Sequence, residues 1–288
     1  MHELHDHLIT IIRHHQLTSL FQPIVDLKGK SIFAHEALIR GPSGSPLHKP
    51  INLFAAADRL QQSLALEHAC RKVSIRQFAA QGLPQKLFLN VRPAVLMDPA
   101  FKKGKTLAFL RQAGIDAGRI VIEITEQQPT DNFPLMRDAV SHYRGMGFEI
   151  ALDDLGAGYS GLRLWTELLP DYVKIDRHFI QDIDKDAVKL KFVRSLQSMA
   201  AATHCRVIAE GVETAGEYHV VQALGLDLAQ GYYFARPSAQ AVTEISASLF
   251  NEKRQSNPYL INRCPSVRKN IDQNSRQDPE QGPLKVAG

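Results

Sequence analysis

Three cysteines, one tryptophan and no long apolar run mark what this 288-residue chain has little of. Cys70, Cys205 and Cys264 are odd in number and far apart, which excludes the paired spacing of a zinc site or a disulfide framework and fits a reducing cytoplasm. No apolar stretch approaches the roughly 20 residues that a membrane-spanning helix needs, and the acidic, His-rich start is not a leader. The chain therefore reads as a soluble, cytoplasmic protein without a membrane span. An excess of one charge is missing as well. The formal charge is +4, but from Glu252 onward seven basic residues face four acidic ones, so the tail carries most of it. The remainder is near neutral, without the basic footprint that double-stranded nucleic acid requires.

What is present is 44% hydrophobic composition, enough for one large core. Residues 1–17 space Leu4, Leu8, Ile11 and Ile12 as an amphipathic helix, with His2, His5, His7, His14 and His15 spread over several faces. A solvated face explains these imidazoles better than a metal site. Short apolar runs then alternate with amphipathic ones. Expected strands are 20–27, 32–40, 86–91, 120–125, 148–154, 172–176, 205–211 and 226–234. Expected helices are 53–80, 106–113, 132–146, 187–202, 215–224 and 239–250. Only Lys28-Gly29-Lys30 separates the first two strands, which forces an antiparallel hairpin; everything later reads β then α. The fold class is α/β: a modified TIM-type (β/α)8 barrel with the first strand antiparallel, over residues 18–250. Gly41–Pro50 is a loop by composition. Residues 251–288, rich in Asn, Gln, Ser, Pro and charge, read as a mostly disordered tail or linker.

The central stretch is Phe148 to Ser160, an apolar run that stops on Asp153-Asp154 and turns into glycines. Side chains alternate along a strand, so Ala151 and Asp153 share the face opposite Ile150 and Leu152. Asp153 then points into a closed barrel, and Asp154 leaves the strand toward the Gly156/Gly158 turn. Other strand ends carry polar groups too: Glu36, Asn90, Glu123, Lys174 with Asp176, Glu210 and Gln230. Each alone is explained by a satisfied strand end or an ion pair such as Lys174 with Asp176. Together they are not, because each uncompensated buried carboxylate costs several kcal/mol. Bound cations solve the problem. An all-oxygen set of Glu36, Asn90, Glu123 and Asp153, with Asp154 and Glu210 nearby, selects Mg²⁺ or Mn²⁺. Two neighbouring sites bridged by an Asp suit in-line displacement at phosphorus. Lys174 would position the water or neutralise charge, and Arg40 would fork onto a phosphate.

At these residues the chain resembles the EAL-domain cyclic di-GMP phosphodiesterase family. The matching motifs, in family order, are Gln22-Pro23-Ile24-Val25, Glu36-Ala37-Leu38-Ile39-Arg40, Asn90-Val91, Glu123-Ile124-Thr125-Glu126, Asp153-Asp154-Leu155-Gly156-Ala157-Gly158-Tyr159-Ser160, Lys174-Ile175-Asp176, Ala209-Glu210-Gly211-Val212-Glu213 and Gln230-Gly231-Tyr232. The resemblance implies hydrolysis of one phosphodiester of cyclic di-GMP to linear pGpG with Mg²⁺ or Mn²⁺, and a homodimer. It implies metal ligation by Glu36, Asn90, Glu123, Asp153 and Asp154. Glu210, Lys174 and Asp176 would be catalytic, with Glu210 also near the second metal. Arg40, Leu38, Gln230 and Gln22 would contact substrate, Glu126 would anchor the loop beginning at Asp154, and Glu213 would support the site. Two positions depart from the pattern: Leu155 where Phe is frequent, and Arg92 where Ser is common. Two alternatives stand beside this reading: a receptor that binds cyclic di-GMP without cleaving it, and an unrelated Mg²⁺-dependent barrel such as an enolase-type enzyme. The second explains the carboxylates but not the ordered match.

Overall fold

The computed structural model describes residues 2–96, 104–125, 132–156 and 161–251. Eight strands close into a barrel in chain order. They are β1 (Thr18–Asp26), β2 (Ser31–Arg40), β3 (Lys86–Val91), β4 (Ile120–Thr125), β5 (Glu149–Leu155), β6 (Tyr172–Ile175), β7 (Arg206–Ala209) and β8 (Leu228–Ala229). β1 is antiparallel to both its neighbours, β2 and β8, as the short first connection demands. The Asp26 carboxylate tightens that turn by accepting from the amides of Lys28 and Gly29 at 2.9 and 2.7 Å.

The helices are α1 (His2–His14), α2 (Pro50–Arg59), α3 (Ser63–Ala79), α4 (Pro93–Leu96), α5 (Lys105–Ala113), α6 (Phe133–Gly145), α7 (Gly161–Leu168), α8 (Arg177–Ile180), α9 (Ala187–Ala202), α10 (Ala215–Ala223) and α11 (Ala247–Asn251). The single helix expected over 53–80 is two, broken at Gln61, whose φ is +55°. That left-handed residue costs about 1–2 kcal/mol. The break lets both helices bury an apolar face: Leu53 of α2 and Leu66 of α3 join Leu8 and Ile11 of α1 in one cluster. The helix expected over 239–250 shrinks to α11, because side chains hold the preceding backbone elsewhere. Gln81 bonds Ala239 and Ala241, and His35 Nε2 lies 2.9 Å from the Val242 carbonyl. The last strand is shorter than expected, since at Gly231 the chain lies against the backbone of Val212 and turns away. The residues from 252 on, including Cys264, lie outside the described residues.

The barrel interior is layered by the period-two rule. Each strand sends one apolar residue to a common ring: Ile24, Ala34, Phe88, Val121, Ala151, Tyr172, Ile208 and Leu228. Two residues nearer the C-terminal ends of the parallel strands, on the same face, stand Gln22, Glu36, Asn90, Glu123, Asp153, Lys174, Glu210 and Gln230. The opposite faces, with Leu87, Ile122, Ile150, Val173 and Val207, pack beneath the helices. A polar ring therefore rests directly on an apolar floor.

Candidate active site

Lys174 occupies the centre of the polar ring. It is 1% exposed, and its Nζ lies 2.8 Å from Glu123, 2.8 Å from Glu210, 2.9 Å from Asp153 and 3.2 Å from Glu36. The sequence leaves open an ion pair with Asp176. Instead Asp176 caps α8, accepting from the His178 amide at 2.8 Å, and lines the cavity above Lys174. Glu36 is the most completely held acid. Besides Lys174, Asn90 Nδ2 donates to it at 3.0 Å and Gln230 Nε2 at 2.8 Å. Gln230 Nε2 also reaches Gln22 Oε1 at 3.2 Å, and Gln22 donates to the Ala235 carbonyl. Asn90 itself is exposed at the mouth.

A β-bulge brings the adjacent aspartates to one rim. Leu152 pairs with Val173 and Leu155 with Ile175, so β5 spends three steps where β6 spends two. Asp154 absorbs the extra residue with φ +57°, a conformation that Asp tolerates better than most residues. Asp154 thus remains within β5 and lines the same cavities as Asp153, where the sequence reading sent it out into the turn.

One ammonium among five carboxylates leaves the site overcharged. Burial raises the Glu36 carboxyl, but Lys174, Gln230 and Asn90 together hold it below its usual range. Burial, then the Glu36 charge, push Glu123 well above the usual range. Burial raises Asp153 and Glu210 despite Lys174. Asp154 is pushed up to about 6 by burial and by Asp153. Burial opposes the charge on Lys174, yet the surrounding carboxylates keep it protonated far above its usual pKa.

Oxygens of Glu36, Glu123 and Asp153 lie within 4.8 Å of one another, as do those of Asp153, Asp154 and Glu210. Asp153 is common to both groups. Glu123 Oε2 is buried without a hydrogen-bond donor. All-oxygen, carboxylate-rich triplets with an unclaimed buried oxygen fit hard divalent cations. No histidine enters either group, so among the described residues the His-rich α1 contributes no metal cluster.

Among the described residues, two cavities on this rim share Leu38, Asp153 and Asp154. The first, about 310 Å³, is lined by Gln22, Glu36, Lys174, Asp176, Arg177, Glu210, Glu213 and Gln230. The second, about 280 Å³, is lined by Arg40, Phe54, Glu67, Asn90 and Arg92. Arg40 is half-buried and donates to its own Ile39 carbonyl at 2.8 Å. Glu213 pairs with Arg177 at 3.0 Å on the rim of the first cavity. Glu126 and the glycine loop 157–160 lie outside the described residues.

Three contributors escape the sequence reading. Arg177 pairs with Glu213 at the first cavity, and Glu67 lies in the wall of the second. Glu217 accepts the amides of Asp182, Glu213 and Thr214 at 2.9, 2.8 and 3.0 Å, fixing the turn that follows Glu210. Two of these left a trace. Thr214-Ala215-Gly216-Glu217 is a capping box, and Glu67 with Arg71 is an i,i+4 pair on an otherwise apolar helix face.

A reversed-first-strand (β/α)8 barrel whose rim gathers carboxylates around one lysine defines the class: an acid-rimmed barrel suited to divalent cations. The chain belongs to the EAL domain family, which it matches over residues 5–237. PdeI of Escherichia coli, a probable cyclic di-GMP phosphodiesterase, is 30% identical over 247 residues, covering 82% of this chain and 31% of that protein. A standalone EAL protein of Vibrio cholerae O395, solved with c-di-GMP bound, superposes with a TM-score of 0.73. It is 29% identical and covers 82% of this chain and 98% of that one. BlrP1 of Klebsiella pneumoniae, solved with manganese and cyclic di-GMP, has a TM-score of 0.72 and 31% identity, covering 77% of this chain and 56% of that one. The chain spans about a third of the length of the curated relatives it matches.

Among the described residues, no helix is long and apolar enough to cross a membrane.

Proposed function

We propose that this chain is a metal-dependent phosphodiesterase that hydrolyses cyclic di-GMP to linear pGpG. The observation that carries the reading is the pair of carboxylate triplets sharing Asp153 around Lys174. Glu36, Asn90, Glu123 and Asp153 would hold one Mg²⁺ or Mn²⁺, and Asp153, Asp154 and Glu210 a second. Such cations, when bound, lower the pKa of water and stabilise both the attacking and the leaving oxygen at phosphorus. Glu210, whose carboxyl is raised by burial, accepts the proton of the attacking water. Lys174 holds the four carboxylates in register and offsets charge that grows on the phosphoryl oxygens. The new bond joins water oxygen to phosphorus, the P–O3′ bond breaks, and the ribose oxygen takes up the equivalent of the proton that Glu210 accepted, exchanged through solvent.

The two cavities flank the aspartates as the two nucleotide halves of a cyclic dinucleotide flank its phosphates. Arg40 and Leu38 border the second half, while Gln22, Gln230 and Glu213 border the first. A receptor without turnover would not need the full set of acids on the rim, so hydrolysis is favoured. Exposed Leu135 of α6 and Leu162 of α7 support a homodimer through that face, and the free, buried Cys70 and Cys205 suit the cytoplasm.

The test is chromatography of cyclic di-GMP incubated with the purified chain and Mn²⁺ or Mg²⁺, beside an EDTA control. Metal-dependent pGpG is expected. Tight binding without product would make the chain a receptor.

A further inference from the structure

Arg92 follows directly on β3 and lines the second cavity, yet its charge is already spent. Nη1 bonds both Asp58 oxygens at 2.8 and 2.9 Å, Nε bonds Glu67 at 3.0 Å, and the guanidinium lies 5.0 Å from the Phe54 ring centroid. Glu67 is buried and also pairs with Arg71 at 3.1 Å. Two acids therefore match two guanidinium groups, and of the Arg92 guanidinium nitrogens only Nη2 is left without a hydrogen-bond partner among the described residues. Arg40, across the same cavity, pairs with no carboxylate among the described residues and is the better phosphate partner.

What the four contacts do give Arg92 is a fixed plane. A guanidinium normally samples many rotamers and loses that freedom when a ligand lands on it. Here the loss is met during folding, so the plane is prepared in advance for a flat partner. Part of the lining fits such a partner: Phe54, Leu38 and Pro50 are apolar, and Asn90 leads to the carboxylates. We propose that Arg92 is a base platform, on which one purine of the cyclic dinucleotide stacks when its phosphodiester reaches Asp153 and Asp154. This rests on the substrate reading above. The locked plane, rather than the positive charge, is the feature that acts.

The test uses the full chain as wild type, Arg92→Ser and Arg92→Lys. The lysine variant keeps a second cation beside buried Glu67, while in the serine variant Arg71 alone remains to pair with it. Three quantities are measured: the dissociation constant of cyclic di-GMP in EDTA, kcat and KM with Mn²⁺, and the Mn²⁺ dissociation constant. Loss of one base–guanidinium stack weakens binding about tenfold. Both variants are expected to raise the nucleotide dissociation constant and KM by about that factor, with Mn²⁺ affinity unmoved. Wild-type KM in Arg92→Lys would overturn the platform, because charge alone would then suffice. A loss confined to kcat and Mn²⁺ affinity would overturn it too, by making Arg92 a prop of the metal ring. A wild-type chain that neither binds nor cleaves cyclic di-GMP would overturn the substrate reading and the platform with it. Variants indistinguishable from an active wild type would overturn the platform alone.

Discussion

Lys174 Nζ lies 2.8 Å from Glu123 Oε1 across the barrel, joining β6 to β4 beneath the rim. Both side chains are effectively out of water, at 1% and 0% exposure. A buried charge that loses its partner costs roughly 3–5 kcal/mol. Lys174→Met should therefore destabilise the metal-free protein at pH 8 by that order, and added Mn²⁺ should recover part of it. Denaturant unfolding with and without the metal measures both. A variant as stable as wild type in EDTA would contradict the central role of the ammonium.

Carboxyl groups held above their ordinary range set a pH dependence. Asp154 sits at about 6, and Glu123, Asp153 and Glu210 are raised by burial. Where the folded pKa exceeds the unfolded one, the folded state binds more protons, so stability falls as pH rises through that interval. Glu36 runs the opposite way, one group against four. Through Asp154 the metal-free protein should lose thermal stability as pH rises from about 4 to 6. Cations bind the deprotonated form, so the rise in Tm on adding Mg²⁺ or Mn²⁺ should be larger at pH 8 than at pH 5. Equal rises would refute the linkage.

Removing acids one at a time should separate loss of the first cation from changes at Glu210, which serves both the second cation and the attacking water. Glu36→Ala and Asp153→Ala each delete an oxygen donor from a triplet, and turnover should fall below detection together with Mn²⁺ stoichiometry. Glu210→Gln should abolish turnover while cyclic di-GMP binding stays measurable. Calorimetry and product chromatography read the two quantities, and full activity in any of the three would sink the assignment.

Glu217 lines neither cavity but supports the turn after Glu210. Glu217→Ala removes the acceptor of three backbone amides. At about 0.5–1.5 kcal/mol for each lost hydrogen bond, stability should drop by about 2–4 kcal/mol, with kcat reduced. Unchanged urea midpoint and kcat would show that the turn holds without it.

Gly231 follows Gln230 where two backbones meet. A Cβ there would stand 2.0 Å from the Val212 carbonyl oxygen, and backbone cannot yield as a side chain does. Gly231→Ala should cost about 1–3 kcal/mol and, by shifting Gln230, raise KM. Calorimetric unfolding alongside steady-state kinetics measures the pair.

Much of the barrel was legible because its rules are local. Alternation placed Ala151 and Asp153 on the inner face, and a three-residue gap reversed β1. The failures share a cause: features set by distant contact. Nothing near Gln61 announces a helix break, which follows from packing against α1. The early end of β8 follows from Val212, on a different turn. The inward return of Asp154 depends on a bulge opposite β6. At the site, the acids were visible singly, but Lys174 as the hub of four of them required the closed barrel. Arg92 stood out in the sequence as a departure from the family pattern, and only the structure shows its partners.

The reversal of β1 has one further consequence. Thr18 pairs with Arg40, so the chain enters the barrel at its mouth, and α1 stands beside the Gly41–Pro50 segment, touching it where His7 meets Ser45 at 2.8 Å. α1 therefore stands at the mouth, where Leu8 and Ile11 pack in one cluster with Ile39, the residue before Arg40, and Leu47 of the following loop, so the opening helix borders the rim rather than the floor of Phe88 and Tyr172.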